Sequence, residues 1–468
     1  MGKPTGFLEV ERRENPWRPE TERVRDFAAM HGALSESERM RQASRCMNCG
    51  VPYCQSDYGC PLHNLIPEWN DLLYRGNERD ALGRLLKTSP FPEFTGRVCP
   101  ALCEKACMMA ETDGASTNRD NELYLIEEGF RRGWIGPRPP KQRTGRRIAI
   151  AGSGPAGLGA ADRLNRLGHS VTVYERASLP GGLLMFGIPN MKLPKDIVAR
   201  RIRLMEAEGI RFIAGQEASP DVTQGYDAVL LCGGARKPRP LAVPGSDMPG
   251  VHYAVDYLSA ATEALLKGSA PAIDAKNRDV IVLGGGDTGN DCVGTALRQG
   301  CKSLIELELL KAPPERRSAG NPWPEWPRVL RTDYGQTEAA NIFGADPRLF
   351  ESTVTALHSD EYGRLCAATV SRVRRNDDGS IVPVAGSERT FSCRLLLIAA
   401  GFIGCDPYTA GAYSLSLTPR GTPDGMRGHN IRGNLFAAGD LRSGQSLVVR
   451  AIADGIAAAN EADAYLKR

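Results

Sequence analysis

No stretch of this chain is apolar enough over enough length to cross a bilayer. The longest purely apolar run of note is Leu395 to Ala400, against the roughly 18 residues a spanning helix needs. The opening residues Met1-Gly2-Lys3-Pro4 lack the apolar segment of a secretion signal. A soluble, cytoplasmic protein with no membrane partner is expected. Neither sign of charge is in excess: 59 Lys and Arg face 55 Asp and Glu and leave +4, too even to point to nucleic acid or an anionic surface. Nor is there a recognisable acid–base pair. His63, His169, His252 and His358 stand in unrelated contexts, so no catalytic side chain is expected. At 468 residues the chain is longer than one hydrophobic core usually grows, and two or three domains are expected.

Cysteine is the residue type present in a pattern. Of 13 cysteines, Cys46, Cys49, Cys54, Cys60, Cys99, Cys103 and Cys107 fall in the first quarter. Their spacing is Cys-x2-Cys-x4-Cys-x5-Cys and then Cys-x3-Cys-x3-Cys. An odd, clustered set without a secretion signal favours metal or cluster ligation over disulfides, because a reducing compartment keeps thiols free to act as thiolates. Compact loops let several thiolates converge, and Cys60 and Cys99 each precede a proline, as is common beside iron-sulfur ligands. Structural zinc is the other reading, but one four-thiolate site leaves three cysteines over. Cys232, Cys292, Cys301, Cys366, Cys393 and Cys405 sit among apolar or small residues and read as core thiols.

Charged helical stretches (Ser35 to Ala43, Glu68 to Leu86, Asn121 to Arg132) broken by proline and glycine turns make residues 1 to about 135 a small helical domain. Gly136 to Gly145, rich in proline and basic charge, reads as a linker. Two βαβ passes follow. In the first, the strand Arg147 to Ala151 runs into Gly152-Ser153-Gly154-Pro155-Ala156-Gly157, a helix to Leu167, and the strand Val171 to Tyr174 ending on Glu175. Strand, glycines, helix, strand and terminal acid in that order form a dinucleotide fingerprint: tight turn, close approach to pyrophosphate, helix packing, and an acceptor for a ribose hydroxyl. The second pass repeats it with Val280 to Leu283, Gly284-Gly285-Gly286-Asp287-Thr288-Gly289, a helix to about Gln299, and Leu304 to Glu308. Two dinucleotides in one chain are most economically FAD and NADH or NADPH. No Cys-x2-Cys or Cys-x4-Cys pair follows either glycine motif, which speaks against a reductase using a redox disulfide beside a flavin. Tyr226 to Gly234 and Asn434 to Asp440 read as further strands that deliver small residues to a nucleotide.

Arg45 to Pro52, Phe91 to Pro100, Gly284 to Asn290, Asn321 to Pro327 and Gly444 to Val449 resemble motifs of the small, or beta, subunit of NAD(P)H-dependent glutamate synthases. That family shares its architecture with the N-terminal part of dihydropyrimidine dehydrogenase, and the likeness runs from Phe7 to Leu466. The resemblance implies an α/β chain with a helical iron-sulfur domain (1–140), a glutathione-reductase-like FAD domain (141–264 and 401–468) and a Rossmann-like NAD(P)H domain (265–400) inserted in it. It also implies FAD at Gly152, Gly154, Pro155, Ala156, Gly157, Glu175, Gly182, Leu183, Gly439 and Asp440, with Gln445, Ser446 and Leu447 near the flavin ring. The nicotinamide nucleotide would meet Gly284, Gly286, Asp287, Thr288, Gly289 and Glu308. A carboxylate at Glu308 favours NADH, since it repels a 2′-phosphate. Arg316 and Arg317 follow and are equally read as a phosphate clamp or a solvated loop.

By the same resemblance there are two 4Fe-4S clusters. Cys46, Cys49, Cys54 and Cys107 would hold one, and Cys60, Cys99, Cys103 and Glu122 the other; carboxylate is the harder donor. The loop between Cys54 and Cys60 is a residue longer than in many members and is expected to bulge without moving the sulfurs. Electrons would pass from NAD(P)H to FAD and through the clusters to a large (alpha) subunit that makes glutamate from glutamine and 2-oxoglutarate, in a hetero-oligomer. The alternative is the flavin subunit of a ferredoxin:NAD(P) oxidoreductase, bifurcating forms included.

Overall fold

The computed structural model describes residues 2–468; Met1, the first residue of the expected helical domain, lies outside them. After two single turns, Gly6–Glu9 and Glu20–Arg23, the helical region continues with Glu36–Ala43, capped by Ser35, whose hydroxyl accepts from the Glu38 amide. The single helix expected over Glu68 to Leu86 is two, Ile66–Tyr74 and Glu78–Leu85. Gly76, at φ +76°, takes the left-handed turn that ends the first. Helix Asn118–Arg131 packs on them around Trp69, Leu73, Leu85 and Leu125, all fully buried. Residues 136–146 form neither helix nor strand.

Among the described residues fifteen strands follow. The first four are β1 (Arg147–Ala151), β2 (Ser170–Glu175), β3 (Arg211–Ala214) and β4 (Ala228–Leu231). Next come β5 (Val251–Tyr253), β6 (Asp279–Leu283), β7 (Ser303–Leu307) and β8 (Arg348–Leu349). An antiparallel excursion comprises β9 (Ser352–Ser359), β10 (Leu365–Arg375), β11 (Ile381–Pro383) and β12 (Arg389–Ser392). The chain returns through β13 (Leu395–Ile398) and ends its strands with β14 (Asn430–Arg432) and β15 (Leu435–Ala437).

Strands β9 to β12 form a separate antiparallel sheet around β10, and the others assemble into one sheet in the order β14-β15-β4-β1-β2-β3 and one in the order β5-β13-β6-β7-β8. The latter two are parallel but for β14. Parallel sheets are covered on both faces, which is why β1, β4, β6 and β13 read as nearly unbroken apolar runs and are almost wholly buried. The expected boundary after residue 264 falls inside helix Ala254–Lys267 and is corrected: β5 and that helix belong to the second sheet. A three-residue strand of Val, His and Tyr carries too little periodicity to be read in advance.

Cys232, Cys292, Cys393 and Cys405 are buried, but Cys301 and Cys366 are half-exposed, against the expectation for all six. Cys301 follows the left-handed Gly300 that closes a helix, and Cys366 lies on β10, whose sheet is partly open to water. The C-terminal helix Val448–Leu466 crosses helix Pro155–Arg166 at backbone contact. A Cβ on Gly455 would stand 2.0 Å from the Ala156 carbonyl oxygen, and one on Gly159 2.8 Å from that of Ile452. This crossing brings residues 439–447 beside the first glycine turn. Among the described residues no helix is long and apolar enough to cross a membrane.

Candidate functional site

The seven clustered cysteines line two separate cavities. Cys46, Cys49, Cys54 and Cys107 share one; Cys60, Cys99 and Cys103 share the other with Glu122. Ile66 is a wall common to both. The loops that deliver the thiols are tightly held. The buried Arg45 guanidinium donates to the carbonyls of Val10, Asp113 (2.5 Å) and Gly114 (2.6 Å), tying the residue before Cys46 to the N-terminal segment and to the segment after Cys107. The Cys60 amide donates to the Cys54 carbonyl at 2.9 Å. A Cβ on Gly59 would stand 2.3 Å from that oxygen, so glycine is what lets the loop fold back. Between Cys99 and Cys103, Ala101 takes φ +62°, a strained turn for a residue with a Cβ. Its amide donates to the Cys99 sulfur at 3.4 Å.

Electrostatics match a donor set built for cations. Burial pushes the Cys60 thiol up to about 11 and those of Cys46 and Cys99 to about 12; iron, when bound, would stabilise the thiolate forms against that burial. Burial also pushes the Glu122 carboxyl up to about 8, with Glu104 adding to the rise and the Thr95 hydroxyl and Arg119 opposing it. Among the described residues no three His, Cys, Asp or Glu side chains form a site for a single metal ion. The thiols stand instead around cavities, and four-donor shells of this kind fit 4Fe-4S clusters.

The first dinucleotide turn links β1 to helix Pro155–Arg166. At the end of β2, the Glu175 carboxylate accepts from the Ser153 amide (3.1 Å) and hydroxyl (2.5 Å), and the hydroxyl accepts from the Gly181 amide at 2.8 Å. This knot lays Gly182 on the turn, where a Cβ would be 2.8 Å from the Gly154 Cα; Leu183 beside it is exposed. Gly154 itself faces open space, as a backbone approached by pyrophosphate must, and the helix behind it aims its amides there. From the other side, Asp440 accepts from the Ser446 hydroxyl at 2.8 Å and Gln445 accepts from the Phe402 amide at 3.1 Å. Leu447 stands at the N-cap of the C-terminal helix, and that helix's second residue, Val449, lines the cavity of Cys60, Cys99, Cys103 and Glu122. The structure thus brings the first turn, the Gly439 to Leu447 segment and that cavity together.

The second turn repeats the first. Gly286 faces open space, Asp287 and Thr288 are exposed at the start of helix Asp287–Gln299, and Gly289 packs so closely on the turn that a Cβ would meet the Gly284 carbonyl. Glu308, just past β7, accepts from the amides of Gly285 and Leu310, both at 3.1 Å, as Glu175 does from Ser153. Arg317 is directed elsewhere: it donates to Glu111 of the helical region at 3.1 Å and to the Asn321 carbonyl at 3.3 Å. Arg316 is exposed.

Two groups escaped the sequence reading. Asp454 accepts from the Gly439 amide at 2.7 Å and from Arg442, and meets His429 at 3.1 Å, holding the turn that carries Asp440. Its signal was there, an acid within the otherwise apolar face of helix Val448–Leu466. Lys192 pairs with the buried Asp291 at 3.0 Å, which also accepts from the Tyr334 hydroxyl at 2.9 Å; nothing local marks that contact.

The family profile described as dihydropyrimidine dehydrogenase domain II, 4Fe-4S cluster, matches residues 23–132. That of pyridine nucleotide-disulphide oxidoreductase matches residues 146–455. The chain is 46% identical to the glutamate synthase (NADPH) small chain of Bacillus subtilis (strain 168), over 100% of this chain and 99% of that one. It is 41% identical to the glutamate synthase (NADPH) small chain of Mycobacterium tuberculosis (strain ATCC 25618 / H37Rv), covering 96% of it. Against glutamate synthase (NADH) of Schizosaccharomyces pombe the identity is 43%, but this chain spans only 23% of that longer protein. Among solved structures, Mycobacterium tuberculosis FprA in complex with NADPH superposes with a TM-score of 0.51 at 18% identity, covering 70% of this chain and 85% of that one, a likeness of fold alone. With a 4Fe-4S region ahead of a two-dinucleotide oxidoreductase fold, and full-length identity at this level, the chain belongs to the glutamate synthase small-chain family.

Proposed function

We propose that this chain is the electron-input subunit of a glutamate synthase, working in the cytoplasm with a large subunit that makes glutamate from glutamine and 2-oxoglutarate. The observation that carries the reading is the partition of eight donors into two cavities, one of which is walled by Val449 of the C-terminal helix that packs on the helix of the first dinucleotide turn. On this reading the helical region with its linker, to residue 140, holds two 4Fe-4S clusters. Residues 141–250 and 401–468 bind FAD, and residues 251–400 bind the nicotinamide nucleotide.

Flavin, when bound, couples a two-electron hydride donor to one-electron acceptors such as iron-sulfur clusters. The residues do the positioning. With FAD bound, Gly152 to Gly157 and the helix amides would hold its pyrophosphate, Glu175 would orient its ribose, and Gln445 to Leu447 would border its ring. The cavity of Cys60, Cys99, Cys103 and Glu122 is the one walled by Val449, two residues beyond the Gly439 to Leu447 segment, so a cluster held there would be the first to receive electrons and one held by Cys46, Cys49, Cys54 and Cys107 would pass them on. The half-buried Glu308 carboxylate and the engagement of Arg317 with Glu111 support NADH over NADPH, because a carboxylate there repels a 2′-phosphate and Arg317 is turned away from it.

The test combines this chain with its large subunit and follows NADH and NADPH oxidation with glutamine plus 2-oxoglutarate. Glutamate-linked turnover with NADH in preference is expected, and Glu308→Ser is expected to erode the preference by about tenfold. Turnover with ferredoxin but none linked to glutamate would establish the ferredoxin:NAD(P) oxidoreductase reading instead.

A further inference from the structure

The segment from Leu310 to Thr332 leaves the second dinucleotide turn at Glu308 and runs back onto the helical region. It is folded on itself by the buried Asn321, whose amide nitrogen donates to Glu325 (3.0 Å) and the Trp326 carbonyl (3.1 Å), and whose oxygen accepts from the Arg328 amide (2.7 Å). Arg331 stacks over the Trp326 ring at 4.2 Å. Two side chains leave this knot for the cluster region. Arg317 takes Glu111, and Trp323 reaches the wall of the Cys46, Cys49, Cys54 and Cys107 cavity.

There Trp323 makes two contacts of different kind. Its indole N–H donates to the Cys107 main-chain carbonyl at 3.2 Å, and its ring meets that of Tyr53 at 4.8 Å between centroids, tilted 58°. Tyr53 lies between Cys49 and Cys54 and lines the cavity. Elsewhere the lining is thinly covered, since Met108, which lines the cavity, is 44% exposed. An aromatic pair here excludes water from one side of the thiol shell, and a donor on the carbonyl of a ligating residue fixes that loop. Solvent exposure and hydrogen bonding are the protein's levers on a cluster's potential and lifetime.

Resting on the two-cluster reading, we propose that Trp323, supplied by the nicotinamide half, is the positioning residue for the Cys46, Cys49, Cys54 and Cys107 cluster. The indole ring shields that cluster from solvent and dioxygen, and the indole N–H holds the Cys107 loop and sets the potential at which the cluster passes its electron on. The two halves of the contact separate by substitution: Trp323→Phe keeps an aromatic ring and removes the donor, and Trp323→Ala removes both.

The experiment uses the whole chain purified without oxygen. Iron and sulfide are counted, reduced cluster signals are titrated by electron paramagnetic resonance and assigned with Cys54→Ser, and bleaching in air is timed. Trp323→Ala should lose the Cys54-dependent cluster about tenfold faster in air while the other cluster and the flavin stay. Trp323→Phe should keep the wild-type lifetime but shift the midpoint potential of that one signal. Wild-type lifetime and potential in both variants would overturn the proposal, as would loss of both clusters together in Trp323→Ala. Iron and sulfide for fewer than two clusters in the wild-type chain is a different result, and would count against the two-cluster reading itself.

Discussion

Single thiols carry the separation of the two cavities, so serine replacements should act on one cavity each. Cys54 lies in the wall of the first and Cys103 in that of the second. Cys54→Ser is expected to remove one cluster's iron and leave the flavin reducible by the nicotinamide nucleotide. Cys103→Ser should instead interrupt transfer nearer the flavin. Iron analysis and reduced-cluster spectra check both, and loss of all iron from either variant would contradict independent sites. Glu122→Ala should weaken the second site less than Cys103→Ser does, because a carboxylate is the harder and weaker partner for iron. Much of this was legible. The spacing of Cys46, Cys49 and Cys54, and of Cys99 and Cys103, announces loops that converge. What spacing does not contain is the exchange by which Cys107 joins the first group and Cys60 the second, because that depends on how helix Asn118–Arg131 and the Ala101 turn fold the two loops together. Glu122 is likewise invisible by type, as one acid among several on its helix, until the fold aims it into a thiol cavity.

Strand, glycine turn, helix and acid were readable as units because each is local: apolar runs for parallel strands, glycines where backbone approaches backbone, and acids at strand ends. The placement of the C-terminal helix was not, since Gly455 and Gly159 acquire meaning only from each other. That helix also carries the control of the Gly439 turn. Burial lowers the pKa of His429, but its hydrogen bonds to Asp454 and Glu461 outweigh this and leave it raised above the ordinary histidine value. Against burial, the same bonds, with Arg442 beside Asp454, hold both carboxyls below their ordinary range. A raised histidine contributes stability that is complete below its unfolded value, about 6.5, and lost as pH rises through the higher folded value. The depressed acids contribute above their unfolded values and lose that contribution only on acidification. Flavin retention and melting temperature should therefore hold from weakly acidic to neutral pH and decline on the alkaline side. In His429→Gln that alkaline decline should disappear, along with some stability at pH 6. Melting curves from pH 5 to 9 on both proteins test this; an unchanged alkaline slope in the variant would show that another group titrates.

At the scale of the molecule the three parts are clasped by charges far apart in sequence. Glu338, fully buried in helix Tyr334–Phe343, accepts from Arg23 of the N-terminal segment at 2.6 Å and from Arg298 of helix Asp287–Gln299 at 2.6 and 3.0 Å. Arg298 also donates to the Asp26 carbonyl at 2.9 Å, and Lys192 reaches from the flavin half to Asp291. These contacts hold the nicotinamide half against both the helical region and the flavin half. No periodicity signals a pair more than three hundred residues apart, which is why the clasp was missed while the elements it joins were not. Glu338→Gln keeps the shape but strands two buried guanidinium groups, and breaking such a pair from one side costs about 3 to 5 kcal/mol. The expected outcome is a large drop in the first unfolding transition, cleavage between residues 310 and 333 under limited proteolysis, and a raised KM for the nicotinamide nucleotide with the flavin still bound. Replacing the whole cluster, Arg23→Met with Glu338→Leu and Arg298→Met, should recover much of the stability, since well-packed apolar groups can match a buried ionic triad. If the single variant melts like the wild type, the ionic clasp is not what fixes the nicotinamide half, and the contacts of Lys192 with Asp291, Arg317 with Glu111 and Trp323 with Cys107 carry that role instead.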